Sequence, residues 1–74
     1  MTDEQQVLLK RITLIPGLLG GKPSIRGMRF LVSDVLELLS AGMSEKQIIE
    51  QHPILKKEDI QAALLYASLK MKTP

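Results

Sequence analysis

The sequence predicts a small, mainly α-helical domain in which three helices follow a short β-hairpin or strand segment. Four of the five glycines lie before residue 31, whereas helical spacing of apolar residues dominates after it. A chain of 74 residues has room for one domain. We therefore predict a single domain over residues 1–74, with an N-terminal strand-and-turn segment (1–31) and a three-helix unit (32–72).

The N-terminal segment contains short apolar runs separated by turn residues. Residues 7–9 and 12–15 are short runs of aliphatic or β-favouring residues that stop at Pro16, which is typical of a strand, or of a short helix running into a strand. Residues 24–30 alternate polar and apolar side chains, which predicts a second, half-exposed strand. Between them, residues 20–23 (GGKP) predict a tight turn that needs unusual backbone angles.

Capping residues set the starts of the first two predicted helices. Ser33 is a good N-cap and Asp34 suits the first turn, so the first helix is predicted over residues 33–41. Ser44 and Gln47 have capping-box spacing, which predicts a second short helix that ends before Pro53.

The third predicted helix is the longest and covers residues 57–71. Glu58 and Asp59 occupy its first turn, and Ile60, Ala63 and Ala67 recur at helical spacing. A short helix, a tight turn and a longer helix are the order found in helix-turn-helix DNA-binding proteins. The same pattern also fits a general packing or dimerisation module, and spacing alone leaves both readings open.

Composition excludes several classes of protein. The chain has no cysteine and one histidine, so neither disulfides nor a thiolate or paired-imidazole zinc site can stabilise it. Its apolar runs are too short to span a membrane, and its start lacks a signal-peptide pattern, so we predict a cytoplasmic protein. Because so short a chain forms a marginal core, we expect a homodimer to supply further burial.

The charge distribution is uneven although the net charge is only +2. Basic residues exceed acidic ones in residues 1–30, whereas residues 31–74 are close to neutral. A negatively charged partner is therefore expected to dock on the front segment.

Several motifs follow one another in residues 12–67. Residues 15–29 read IPGLLGGKPSIRGMR, and an AGMS turn, the His52-Pro53 pair and the stretch EDIQAALLYA come later. Together they resemble the pattern of the domain-of-unknown-function family 433, which contains a PGI-GGKP-IRGTRI segment. This resemblance implies a homeodomain-like helix-turn-helix fold. It also implies kinship with VapB-type antitoxins, which are encoded beside PIN-like ribonuclease toxins.

Three positions depart from the family pattern. Met28 stands where threonine is usual, Leu31 where proline is usual, and Lys56 where a serine or threonine caps the third helix. Loss of that cap is expected to weaken the start of the helix by about 1 kcal/mol.

The resemblance implies a DNA-binding antitoxin of a type II toxin–antitoxin pair. It would repress its own promoter and neutralise a PIN-like ribonuclease toxin. The alternative is a protein-interaction or dimerisation module without nucleic-acid binding. Solvated surface charge is the simpler interpretation of Arg26, Arg29 and the third-helix residues, and a tight turn is that of the segment around Lys22. The candidates for DNA contact are Lys22, Arg26, Arg29, Lys56, Lys57 and Gln61, and those for toxin contact are Lys70 and Lys72.

No motif predicts catalysis, a cofactor or a bound metal. The acidic residues are spaced as helix-surface charges, and His52 lacks a motif that would supply a nucleophile or carboxylate partner. His52 is instead expected to cap the end of the second helix, and Tyr66 to lie at the edge of the core.

Overall fold

The computed structural model describes residues 1–72 and confirms a mainly α-helical fold with a short strand segment near the N-terminus. A 3-10 turn at Leu19–Gly21 lies between the two strands, which form one antiparallel sheet. The elements in chain order are α1 (Asp3–Leu9), β1 (Ile12–Thr13), β2 (Ser24–Ile25), α2 (Val32–Ser40), α3 (Glu45–Gln51) and α4 (Lys57–Met71).

The last two helices agree with the predicted bounds. The Ser44 hydroxyl accepts a hydrogen bond from the Gln47 backbone N–H at 3.1 Å, and the Gln47 amide oxygen accepts from the Ser44 N–H at 2.8 Å. This capping box starts α3, which ends at Gln51, before Pro53. Helix α4 covers the predicted residues.

Helix α2 begins earlier than predicted, and the assignment of Ser33 as its N-cap is wrong. Leu31 is the N-cap residue, and its backbone N–H donates to the Asp34 carboxylate at 2.9 Å. Asp34 is therefore the third helical residue, from which a carboxylate can reach back to the cap. Ser33 lies inside the first turn and is exposed.

Asp34 and Ser33 should differ in their contribution to stability. We expect Asp34→Ala to lower the free energy of unfolding by about 1 kcal/mol, because the Leu31 N–H then loses its acceptor. Ser33→Ala serves as the control and should change it by less than about 0.5 kcal/mol. Urea unfolding followed by circular dichroism measures both, and a larger loss for Ser33→Ala would contradict the observed cap.

The N-terminal segment is a short helix that runs into a strand, the second of the two predicted alternatives. Thr2 and Gln5 form a capping box in which the Thr2 hydroxyl accepts from the Gln5 N–H at 3.1 Å. Helix α1 therefore starts at Asp3, and strand β1 follows after two residues.

The strand predicted over residues 24–30 is wrong beyond Ile25. Arg26 and Gly27 both have positive φ, +46° and +70°, as in type I′ turns, so the chain reverses at these two residues. The Met28 N–H closes the turn by donating to the Ile25 carbonyl at 2.8 Å. Alternating polarity alone could not reveal this turn, which glycine favours but arginine does not.

Polar side chains fix the register of the small sheet. Ile12 pairs with Ile25 and Thr13 with Ser24. The Thr13 and Ser24 hydroxyls lie 2.8 Å apart, and the Thr13 hydroxyl also accepts from the Gly27 N–H at 2.9 Å. The buried Ser24 is thus satisfied, and the turn at Arg26 is held against β1.

The predicted turn at residues 20–23 is present and uses left-handed backbone. Gly20 and Gly21 have φ of +70° and +75°, a region that side-chain-bearing residues rarely occupy. Lys22 follows with an exposed side chain.

Helix α4 lies at the centre of the packing. Helices α1, α2 and α3 and strand β1 all contact it, so the N-terminal segment and the helices share one core. The buried apolar residues come from both parts of the chain, and they are Ile25, Val32, Val35, Ile48, Leu55, Ile60, Ala62 and Ala63.

Candidate functional site

A buried carboxylate lies at the first turn of α4, between two arginines from the N-terminal segment. Asp59 is fully buried. Its Oδ1 accepts from Arg11 Nη1 and from Arg26 Nε, each at 2.9 Å. Its Oδ2 accepts from Arg26 Nη2 and from the Lys56 backbone N–H, each at 2.8 Å. We call these three charged side chains, Arg11, Arg26 and Asp59, the Asp59 cluster.

The cluster keeps Asp59 ionised. Burial by itself would raise the pKa of the Asp59 carboxyl, but the hydrogen bonds from Arg26, the Lys56 N–H and Arg11 outweigh it, so the pKa lies below its ordinary value. The hydrogen bond to Asp59 in turn raises the pKa of Arg26 above its ordinary value. The pair therefore remains charged at neutral pH.

The Arg26 guanidinium forms hydrogen bonds within the protein. Besides its two bonds to Asp59, Nη2 donates to the Ile54 carbonyl at 2.6 Å. Its Nε and Nη2 donors are thus directed at the protein, on a turn and not at the end of a strand as predicted. Arg29, the other arginine predicted to contact DNA, is exposed.

The first half of α4 presents three of the predicted DNA contacts to solvent. Lys56, Lys57 and Gln61 are all exposed. Asp59 points inward, so it does not add negative charge to this surface as its position in the sequence suggests. Lys56 is the N-cap of α4 and has no hydroxyl to accept a hydrogen bond from the helix. Its own backbone N–H is nevertheless satisfied, because it donates to the Asp59 carboxylate.

Acidic side chains lie beside Gln61. A shallow groove of about 400 Å³ between α1 and α4 is lined by the acidic residues Asp3, Glu4 and Glu58, by Gln61, Val7 and Leu8, and by Arg11, whose guanidinium is paired with Asp59. These carboxylates oppose a DNA phosphate, so electrostatic attraction at this end of α4 is weak.

Lys22 lies near the second half of α4, beside Lys70, which is one of the two predicted toxin contacts. Lys22 and Lys70 line the same apolar groove of about 270 Å³ beside Tyr66. The Lys70 ammonium lies 5.5 Å from the centroid of the Tyr66 ring, within the range of a cation–π interaction. Lys72 is exposed and is the C-cap residue of α4. The candidate lysines therefore belong to two surfaces.

His52 occupies the C-cap position of α3, but the capping contact comes from its backbone and not from the imidazole, which was expected to meet the free carbonyls. Its backbone N–H donates to the Ile48 carbonyl at 2.8 Å. The imidazole packs edge-to-face on Phe30, with 5.1 Å between the ring centroids. Tyr66 packs against the core, as expected.

The structure offers no local cluster for a metal and no helix for a membrane within residues 1–72. No group of three histidine, aspartate or glutamate side chains in that range could hold a metal ion. None of the helices in the described part of the chain is both long and apolar enough to cross a bilayer.

Sequence reasoning did not find the cluster or the role of Arg11. The local sequence indicates only that Asp59 is a first-turn acid and that Arg26 is a candidate phosphate contact. The partners of Asp59 precede it by 33 and 48 residues, and no local pattern signals a pairing at such separations.

The fold and the Asp59 cluster define a small helical domain in which two arginines of the N-terminal segment (1–31) form ion pairs with the last helix. The family model described as "Protein of unknown function (DUF433)" matches residues 12–67. The chain belongs to this family.

One curated relative and one solved structure extend the comparison. "Uncharacterized protein y4eO" of Sinorhizobium fredii is 41% identical over 65 residues, which cover 88% of this chain and 29% of that protein. A crystal structure of a DUF433 member from Anabaena variabilis superposes with a TM-score of 0.76 at 31% identity, covering 86% of this chain and 63% of that one. The chain thus spans less than a third of the curated relative.

Proposed function

We propose that this protein is a DNA-binding, antitoxin-like regulator with no catalytic activity of its own. The observation that carries the proposal is the exposed outer face of the first half of α4, with Lys57 and Gln61, in a helix that follows a short helix and a tight turn. In helix-turn-helix proteins the corresponding helix enters the major groove. Glutamine can pair with adenine there, and lysine can contact phosphate.

Burial of Asp59 supports this proposal. The Asp59 carboxylate is ionised but buried and paired with Arg11 and Arg26. The exposed charges at the start of α4 are therefore those of Lys56, Lys57 and Glu58. That end of the helix therefore repels phosphate less than its sequence implies. Two protomers on paired half-sites would compensate for a weak single contact, so we propose a homodimer on its own promoter.

The antitoxin part of the proposal rests on the resemblance to VapB-type antitoxins. The partner is then a PIN-like ribonuclease toxin in the cytoplasm, whose cleft is acidic. Lys70 and Lys72, near the end of α4, carry the charge that such a cleft would attract. The chain beyond them, residues 73–74, lies outside the described residues.

An electrophoretic shift on the DNA upstream of the protein's own gene tests DNA binding. We expect specific binding by a dimer that weakens as salt rises. Gln61→Ala should weaken specific binding about tenfold, and Lys57→Gln should lower the salt slope by about one per protomer. Lys70→Gln, about 20 Å further along α4, is the control and should leave the shift nearly unchanged.

A second function, an interaction module without nucleic-acid binding, is favoured by the carboxylates of Asp3, Glu4 and Glu58 around Gln61. In that case no specific shift appears at low salt, while light scattering still reports a defined species. A shift of equal strength on unrelated DNA, unaffected by Gln61→Ala, would also contradict the proposed sequence-specific regulator.

A further inference from the structure

The second half of α4 carries two apolar grooves, one on each side of Tyr66. One, of about 270 Å³, lies between Pro23, helix α2 and α4. The other, of about 290 Å³, lies between the α1–β1 region and α4, and includes Leu14, which is 59% exposed. We call this surface the Tyr66 face. Its apolar lining includes Leu9, Ile12, Leu14, Pro23, Val32, Leu36, Tyr66 and Ala67.

The charge on the Tyr66 face has one sign. Lys70 lines both grooves and Lys22 lines one of them. No carboxylate is among the residues of the described chain that line either groove. An apolar surface with cationic edges is complementary to a segment that combines apolar side chains with carboxylates.

The same charges argue against a second copy of this chain as the occupant. In a symmetric dimer each residue of the interface meets the same patch on the other protomer. Pairing two Tyr66 faces would place Lys22 and Lys70 of one protomer in an interface with the same two cations of the other and with no carboxylate from the described residues that line either groove, and like charges in a contact oppose association. The occupant that fits is therefore a different, acidic chain.

We propose that the Tyr66 face binds an acidic amphipathic segment of a partner protein. Its apolar side chains enter the grooves on either side of Tyr66, and its carboxylates pair with Lys22 and Lys70. The face is separate from the proposed DNA-binding surface, because Ala67 in the groove is about 15 Å along α4 from Lys57. This proposal goes beyond DNA binding and does not depend on it.

Two synthetic amphipathic peptides test the proposal on the full chain. Both have the same leucine pattern, and the polar positions are glutamate in one and lysine in the other. In a two-dimensional NMR titration, we expect the glutamate peptide to shift the resonances of Tyr66, Ala67 and their neighbours. It should bind at least about tenfold more tightly than the lysine peptide.

Charge reversal supplies a variant that leaves the fold unaffected. Lys22 and Lys70 are exposed, so the double variant K22E/K70E should remain folded and should prefer the lysine peptide. Lys57→Glu, at the other end of α4, is the matched control and should keep the original preference. Its circular dichroism spectrum and that of the double variant should match the wild type.

Several outcomes would overturn the proposal. Equal affinity for the two peptides, or shifts located away from Tyr66, would exclude a charge-selective site on this face. Resonances of the face that shift on dilution, with a dimer by light scattering, would identify a second copy as the occupant. Stronger, Lys22-dependent binding to phosphatidylserine vesicles would identify a membrane surface. Selective peptide binding without any DNA shift would leave this proposal standing and reject only DNA binding.

Discussion

Replacing Asp59 with asparagine is expected to lower the free energy of unfolding by about 3 kcal/mol. The substitution leaves Arg11 and Arg26 without the carboxylate that both contact. The arginine side chains are 28% and 32% exposed, so water compensates them in part, and we expect the lower end of the usual range for a broken buried pair. Glu58→Gln, at the adjacent exposed position, is the control and should cost less than about 0.5 kcal/mol.

The pH dependence of unfolding provides a second readout of the same substitution. Because the pKa of Asp59 is lower in the folded than in the unfolded chain, its contribution is complete above the unfolded value near pH 4 and is lost as pH falls through the folded value. The difference between wild type and D59N should therefore shrink in acid. Urea unfolding at several pH values measures it, and a difference that is constant with pH would contradict an ionic role.

Removing the guanidinium of Arg26 is the second large expected effect. Arg26→Ala should lower the free energy of unfolding by about 3 kcal/mol, because Asp59 loses two charge-assisted hydrogen bonds while remaining buried. Arg26→Gly should cost about 1 kcal/mol less than Arg26→Ala, since glycine adopts the φ of +46° without the strain that alanine keeps.

Comparison of the two Arg26 variants separates the side chain from the backbone. Both are measured by urea unfolding at neutral pH, with Arg29→Ala as the control, since Arg29 is an exposed arginine that directly follows the turn. Equal losses for alanine and glycine would show that the turn is unstrained. A loss no larger than that of Arg29→Ala would remove Arg26 from the stabilising cluster.

Local signals predicted the helical half of the fold well. The reciprocal hydrogen bonds of Ser44 and Gln47 are encoded by two residues three positions apart, so the sequence alone locates the start of α3. At α2 the same capping preference predicts Ser33 as the N-cap, but Leu31 is the N-cap and its N–H donates to Asp34. The sequence fits two helix starts, one with Ser33 as the N-cap and one with Asp34 as the third helical residue. The capping preferences alone do not distinguish between these two starts.

The N-terminal segment was harder to predict because its conformation depends on distant residues. Alternation of polarity extends through Arg26, yet a left-handed arginine becomes favourable only when its guanidinium reaches Asp59 on α4. The candidate site shows the same limit. Lys57 and Gln61 could be placed on the outer face of α4 from periodicity, whereas the grooves around Tyr66 need Pro23 and α2 to be brought against that helix.

The Asp59 cluster also constrains the order in which the chain can fold during synthesis. Arg11 and Arg26 emerge first, and the carboxylate that fixes both is made 48 and 33 residues later. Until α4 is complete, the N-terminal hairpin segment has neither its ionic partner nor the helix against which α1 and β1 pack. We therefore expect residues 1–31 to reach their full stability only once α4 has formed, because contacts between distant parts of a chain are slow to form.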